Sequence, residues 1–274
     1  MSDLLQQIAA ARAYIQGFSN IRPLAGIILG SGLGGLVADI TDRIEIPYTD
    51  IPHFPVSTVE GHQGRLILGN MQGRPVVAMA GRFHYYEGFS MQQVTFPVRV
   101  MQALGVKTLL VSNAAGGMNA AFKVGDLMII RDHINLQPEH PLRGHNENSL
   151  GPRFPDMSEP YAKTLINKAK EIAAAGNIPV HTGVYVGVQG PSFETRAEYK
   201  FMHIIGGDAV GMSTVPEVIV AVHAGLQVFA MSVITDLGIR EEDNVITHEE
   251  VLEAAAAAAP KLTHIFRELV AAIN

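Results

Sequence analysis

Gly183-Val184-Tyr185-Val186-Gly187-Val188-Gln189-Gly190-Pro191-Ser192-Phe193-Glu194-Thr195 is a β-branched run that breaks into a Gly-Pro-Ser turn and delivers an aromatic ring beside a carboxylate. Downstream, Gly211-Met212-Ser213-Thr214-Val215-Pro216-Glu217 sets a flexible apolar side chain and a hydroxyl side by side just before a helical pattern. Taken singly, the first is a turn after a strand and the second a capped helix start. Taken together, a ring, a carboxylate, a thioether and a hydroxyl suit a ligand with a flat polar heterocycle, a less polar middle and an anion.

The same alternation of strand and helix continues outward in both directions and argues for an α/β fold. On the N-terminal side, Asp3 and Gln6 have capping-box spacing, and Leu4, Leu5, Ile8, Ala11 and Ile15 recur as on a packed amphipathic helix. Ala25-Gly26-Ile27-Ile28-Leu29 reads as a buried strand running into Gly30-Ser31-Gly32-Leu33-Gly34-Gly35. Gly30, Gly32 and Gly35 match a dinucleotide fingerprint, which further needs a helix, a second strand and an acidic residue about 20 positions on. The next segments are instead broken by proline (Ile44-Glu45-Ile46-Pro47-Tyr48, then Pro52-His53-Phe54-Pro55). A loop whose N–H groups and Ser31 hydroxyl hold a single phosphate is therefore the preferred reading.

Residues 64–70 and 74–80 read as two strands joined at Gln72-Gly73, the second ending at the polar cluster Arg82, His84, Tyr86 and Glu87. A helical pattern over 92–104, interrupted by Pro97, precedes a buried strand over 107–112 that stops at Asn113-Ala114-Ala115-Gly116-Gly117. Residues 126–130 are strand-like, and 140–155 have the composition of a surface loop. Helices are expected over 160–175, 215–224 and 248–273, with a strand over 228–234; Pro260 should bend or divide the last helix. No repeat or linker divides the chain, so residues 1–274 are expected to form a single domain.

Composition narrows the function. With 274 residues, 47% of them hydrophobic, the chain can bury a large core. A net charge of -6 offers no basic footprint for nucleic acid or an anionic membrane. The absence of cysteine excludes disulfides, thiolate metal sites and a cysteine nucleophile. The N-terminal residues lack a signal-peptide pattern and no apolar run reaches the roughly 20 residues of a membrane span, so a soluble cytoplasmic protein is expected.

Together, these motifs resemble those of the trimeric purine nucleoside phosphorylases. Besides the two opening segments, Gly30-Ser31-Gly32-Leu33-Gly34, Gly61-His62, Gly81-Arg82-Phe83-His84-Tyr85-Tyr86-Glu87-Gly88, Asn113-Ala114-Ala115-Gly116-Gly117, Arg131-Asp132-His133-Ile134-Asn135 and His248-Glu249-Glu250-Val251 fall in that family's order. The resemblance covers nearly the whole chain. It implies a mixed, distorted central sheet flanked by helices, no organic cofactor and no metal, a homotrimer, and a place in purine salvage as a glycosyltransferase. The reaction implied is reversible phosphorolysis of purine nucleosides, in which inorganic phosphate is co-substrate.

That reaction must hold an anion, tolerate positive charge on the ribose and stabilise electrons leaving into the purine. The resemblance sets phosphate against Ser31, Arg82, His84, Ser213 and the N–H of Ala114, with His62 as a further contact. The chemistry agrees, since a guanidinium forks onto phosphate oxygens while hydroxyls and amides complete the shell. Arg82 and His84 also alternate along one face of an extended segment. Glu87 is expected to orient His84 or Arg82. For the ribose, the resemblance implies Tyr86, Met212 and His248, the last favouring a free 5′-hydroxyl. Phe154 resembles an aromatic residue lent across a subunit boundary to a neighbour's site. For the base it implies Phe193 packing on the purine, Glu194 accepting from N1–H, and Thr235 with Asp236. His84, Glu194 and Asp236 are the expected catalytic groups.

Asp236 departs from the pattern, because 6-oxopurine enzymes of this family carry asparagine there. An ionised Asp236 only accepts hydrogen bonds and suits the 6-amino group of adenine or an N7–H. Burial beside Glu194 should instead raise the apparent pKa of the pair, and a protonated Asp236 could protonate N7. The methylthioadenosine phosphorylases also have aspartate there but pair it with a second aspartate two residues on, where this chain has Gly238. With Ser213 and His248 this favours inosine and guanosine, and leaves adenosine or 5′-methylthioadenosine as the alternative. Three other classes remain open: a nucleoside hydrolase using water, a nicotinamide-dependent oxidoreductase on the Gly30 loop, and a noncatalytic nucleoside-binding protein.

Overall fold

The computed structural model of the chain describes residues 2–56, 58, 63–238 and 247–273. Nine strands form one mixed sheet: β1 (Ala25–Ile28), β2 (Thr41–Pro47), β3 (Arg65–Met71), β4 (Arg74–Ala80), β5 (Thr108–Gly117), β6 (Leu127–Asn135), β7 (Val180–Gly187), β8 (Ala209–Gly211) and β9 (Gln227–Leu237). Among the described residues six helices surround it: α1 (Asp3–Gln16), α2 (Met91–Leu104), α3 (Lys163–Ala175), α4 (Arg196–Ile204), α5 (Val215–His223) and α6 (His248–Ala272). Strand order is β2-β3-β4-β1-β5-β8-β7-β6-β9, and β9 pairs again with β5. The last five strands in that order therefore close on themselves as a small barrel from which the others extend as an open wing.

At the centre, β1 is parallel to both β4 and β5, and β5 is parallel to β9. All four residues of β1 are buried, as expected of a parallel strand covered on both faces. Helix α6 packs on β9, α3 on α6, and α2 between α1 and α5. The β3–β4 hairpin turns at Gln72 (φ 51) and Gly73 (φ 72), and two consecutive left-handed residues match the right-handed twist of the flanking strands. At the margin of the wing, β2 pairs, among the described strands, only with β3, through a register shift between Thr41 and Ile44.

Several boundaries differ from the sequence expectation. The first helix is capped by Ser2, whose Oγ accepts from Leu5 N, so Asp3 lies inside the helix and its carboxylate bonds the Gln7 amide instead. Pro97 and Pro260 lie within α2 and α6 without dividing them. Helix α3 starts at Lys163, after Pro160, and β6 and β9 run past their expected ends. Sequence periodicity missed α4 and the three-residue β8, both short elements between the two opening motifs.

The Gly30 loop leads into a short 3-10 turn (Gly34–Asp39) and then into antiparallel β2, so the helix and parallel strand of a dinucleotide unit do not succeed it. The loop lies hard against β5: a Cβ at Gly30 would sit 2.8 Å from Asn113 Cα and 2.9 Å from Ser112 O. Gly30 N–H donates to Ser112 Oγ. Gly30→Ala is expected to destabilise the protein by about 1–3 kcal/mol, the range for overpacking, as a lower urea midpoint at unchanged slope.

Candidate active site

The parallel strands β1, β4, β5 and β9 end at one cleft, the position at which open α/β sheets hold ligands. Ser31 follows β1; Arg82, His84 and Tyr86 follow β4; Ala114 lies near the end of β5; Thr235 and Asp236 near the end of β9. Phe193 and Glu194 enter from the segment after β7, Met212 and Ser213 from that after β8, and His248 from the first turn of α6. Every candidate phosphate, ribose or base contact named from the sequence thus lines one cavity, with two exceptions. His62 lies outside the described residues, and Phe154 is 87% exposed beside Arg153, away from the cavity wall.

Arg82 is 1% exposed, so its charge needs a partner inside the protein. Its Nε meets Glu217 Oε1 at 3.1 Å and its Nη1 donates to Ser213 Oγ at 2.9 Å. The other Glu217 oxygen accepts from Thr214 N at 2.9 Å. Thr214 has φ 69 and ψ -55, and Val215 N bonds back to Ser213 O at 2.7 Å, which defines a γ-turn of the strained hand. Such a conformation costs on the order of 1–3 kcal/mol for a β-branched residue. Asn113 Nδ2, donating to Thr214 Oγ1 at 2.9 Å, helps to hold it. The strained turn aims the Ser213 hydroxyl at the guanidinium.

His84 stacks on Tyr86 and its Nδ1 lies 3.1 Å from Glu87 Oε1. Burial alone would raise the Glu87 carboxyl, but hydrogen bonds from the His84 ring, from the N–H and hydroxyl of Thr58 and from His84 N–H outweigh it and hold it at about 2. Burial lowers the His84 ring below the usual histidine value, against the Glu87 bond and with the Arg82 charge. An ionised Glu87 only accepts, so Nδ1 carries the proton and the neutral ring leaves Nε2 as an acceptor. Of the two residues Glu87 was expected to orient, the geometry selects His84.

Asp236 is 8% exposed, and both of its oxygens accept from hydroxyls: Oδ1 from Thr235 Oγ1 and Oδ2 from Tyr199 OH, each at 3.0 Å. A register break aims it, since Ala115 pairs with Ile234 but Gly116 with Asp236, leaving Thr235 as the extra residue of a bulge. Glu194 is half-buried, and burial followed by the Asp236 charge raises its pKa, the direction expected from the sequence.

Sequence reasoning missed Glu217, Thr214 and Tyr199. Thr214-Val215-Pro216-Glu217 has the capping-box spacing and Glu217 does bond the Thr214 N–H, so that signal was present. Tyr199, on α4, had none. Among the described residues no group of three or more His, Asp or Glu side chains is placed to hold a metal ion, and no helix is long and apolar enough to cross a membrane.

With the geometry in place, comparison with known proteins gives it a family. Residues 25–271 match the model of the phosphorylase superfamily. The "purine nucleoside phosphorylase 1" of Bacillus subtilis (strain 168) is 52% identical over 265 residues, 97% of this chain and 98% of its own. Crystal structures of Schistosoma mansoni purine nucleoside phosphorylase in complex with adenosine, and of a schistosoma purine nucleoside phosphorylase in complex with hypoxanthine, superpose with TM-scores of 0.93 at 44% identity, covering 98% of each chain. The chain belongs to the phosphorylase superfamily and, within it, to the purine nucleoside phosphorylases. Members of this group are pentosyltransferases acting on a nucleoside and phosphate, which matches a cavity with a cation–hydroxyl pair and a carboxylate pair on its walls.

Replacing Glu217 by Ala removes the carboxylate paired with the buried guanidinium. A loss of about 3–5 kcal/mol is expected, read from urea unfolding, because an uncompensated buried charge is left behind.

Proposed function

We propose that the cavity performs phosphorolysis of inosine and guanosine, with adenosine as a second substrate, and that its residues act in the roles their chemistry suggests. The observation that carries this reading is a single cavity lined both by Arg82, bonded to Ser213, and by Asp236 beside Glu194. Phosphate would sit against Arg82, Ser213, Ser31 and the Ala114 N–H. His84, neutral and presenting Nε2 as an acceptor, suits the P–O–H of hydrogen phosphate. His62 is retained as a further phosphate contact. A phosphate oxygen then bonds to C1′ of the ribose, the C1′–N9 bond breaks, and its electron pair passes into the purine. Tyr86, Met212 and His248 would hold the ribose, and Phe193 would pack on the base.

For a 6-oxopurine, ionised Glu194 accepts from N1–H, solvent protonates the departing base at N7, and the resulting N7–H donates to Asp236. For adenine, protonated Glu194 donates to N1 and Asp236 accepts from the 6-amino group. Both cases use the same feature, the acceptance of hydroxyl protons at both Asp236 oxygens, which makes it an acceptor toward the base. The structural relatives holding adenosine and hypoxanthine support entertaining both bases. No organic cofactor or metal enters this scheme. We also propose a homotrimer in which the exposed Phe154 covers a neighbour's ribose, working in purine salvage in the cytoplasm.

Three measurements test the chemistry. Cleavage should depend on phosphate, with no turnover in water alone. The ratio of kcat/KM for inosine over adenosine should fall as pH falls through the raised Glu194 value, because the ionised carboxylate serves N1–H and the protonated one serves bare N1. Asp236→Asn should raise that ratio by about tenfold or more, since an amide donates to O6 where a carboxylate repels it; an unchanged ratio would remove Asp236 from base selection. For the assembly, Phe154→Ala should raise KM for nucleoside by about tenfold, the effect of uncovering one aromatic contact, and light scattering of an active monomer would refute the shared site.

A further inference from the structure

Tyr199 has no part in holding phosphate, ribose or base in this scheme, yet its place is tightly built. It projects from α4, is 2% exposed and lines the cavity wall. Two glycines make room for it. A Cβ at Gly238 would lie 2.1 Å from Tyr199 Cδ1, so a side chain at position 238 and this ring exclude each other. A Cβ at Gly116 would lie 2.7 Å from the Tyr199 hydroxyl and 2.9 Å from Asp236 Oδ2, so the contact between those two groups also requires glycine there. The ring thus fills the space left by one glycine, and its hydroxyl reaches over the other.

The hydroxyl has one proton and two carboxylate neighbours. It donates to Asp236 Oδ2 at 3.0 Å and also lies within bonding reach of Glu194. Among the described residues, Glu194 faces Asp236, Tyr199 and, from α4, Glu198, while His248 at the start of α6 lines the same cavity. Two acidic groups sharing a partly buried site repel each other unless a donor stands between them. Tyr199 is that donor.

We propose that Tyr199 is a positioning residue that lets Glu194 and Asp236 carry charge side by side, and that it thereby sets discrimination at the 6-position of the purine. With the Tyr199 hydroxyl donating to Asp236, the aspartate is held as an ionised acceptor and Glu194 remains able to ionise for the N1–H of a 6-oxopurine. Without that proton the mutual repulsion grows, Glu194 holds its own proton to higher pH, and the site shifts toward adenine. This inference rests on the assignment of Glu194 and Asp236 to the base, and it deepens that assignment.

The test is Tyr199→Phe, which keeps the ring on Gly238 and removes only the hydroxyl. Its acid limb of kcat/KM for inosine should move to higher pH by about one unit, and the inosine-to-adenosine ratio at pH 7 should fall by about tenfold, the scale of a lost hydrogen bond to a charged group. In an Asp236→Asn background, where no second charge opposes Glu194, adding Tyr199→Phe should shift the ratio by less than it does in the parent protein. A purely structural role for Tyr199 would lower activity on both nucleosides alike and leave the acid limb in place. Should Tyr199→Phe fail to fold, Gly238→Ala displaces the same ring and should shift the ratio in the same direction. A ratio and acid limb matching the parent protein, or an equal effect in the Asp236→Asn background, overturns the proposal. Parent protein that cleaves neither nucleoside with phosphate would instead overturn the functional assignment beneath it.

Discussion

The buried Arg82–Glu217 pair is the contact on which the site's geometry depends. A guanidinium taken almost wholly out of water is tolerable only with a counter-charge in fixed geometry, and Glu217 supplies it from the first turn of α5. The same carboxylate bonds the Thr214 N–H, so one residue both neutralises the cation and holds the strained turn that leads into its own helix. Breaking either bond would relax the turn and let Ser213 swing away from Arg82. Charge compensation, backbone strain and the direction of a hydroxyl are therefore a single problem with one solution, and its energy is supplied by the packing of α5 against α2 and β9.

The opposite chemistry is arranged by different means. Arg82 is fixed by an ion pair, whereas Asp236 is fixed by a bulge and by hydroxyl donors. The slip between β5 and β9 adds Thr235 to one strand, and its hydroxyl bonds the neighbouring carboxylate. A regular ladder through Thr235 would have turned Asp236 to the other face of the sheet. Among the polar groups of the cavity Thr235 and Asp236 are held within a paired strand, whereas Ser31, Arg82, His84, Glu194 and Ser213 lie on segments that follow strands.

Much of this was legible in the sequence because it depends on local pattern. Apolar runs ending in small residues located β1 and β5, and polar groups clustered where those runs stop. Resemblance then linked segments far apart in the chain to one cavity. What could not be read were properties that arise only from long-range packing. Tyr199 looks like any aromatic residue on an amphipathic helix until Gly116 and Gly238 are seen beneath it. Glu217 reads as a cap, and its second contact, to a residue on the far side of the sequence, has no local signature. Pro97 and Pro260 misled in the other direction, since tertiary packing carried both helices through residues that weaken them in isolation.

The closing of five strands into a barrel also bears on how the molecule behaves in a crowded solution. A barrel has no unpaired margin, so among the described strands β2 is left as the open border of the sheet. That strand, Thr41-Asp42-Arg43-Ile44-Glu45-Ile46-Pro47, alternates charges with apolar residues, breaks register near Asp42 and ends in a proline that cannot donate to a neighbour. Arg43 and Arg65 both pair with Glu45 along it. Such a border discourages a second chain from adding as an extra strand, so a sheet of nine strands can stay dispersed instead of stacking into fibres.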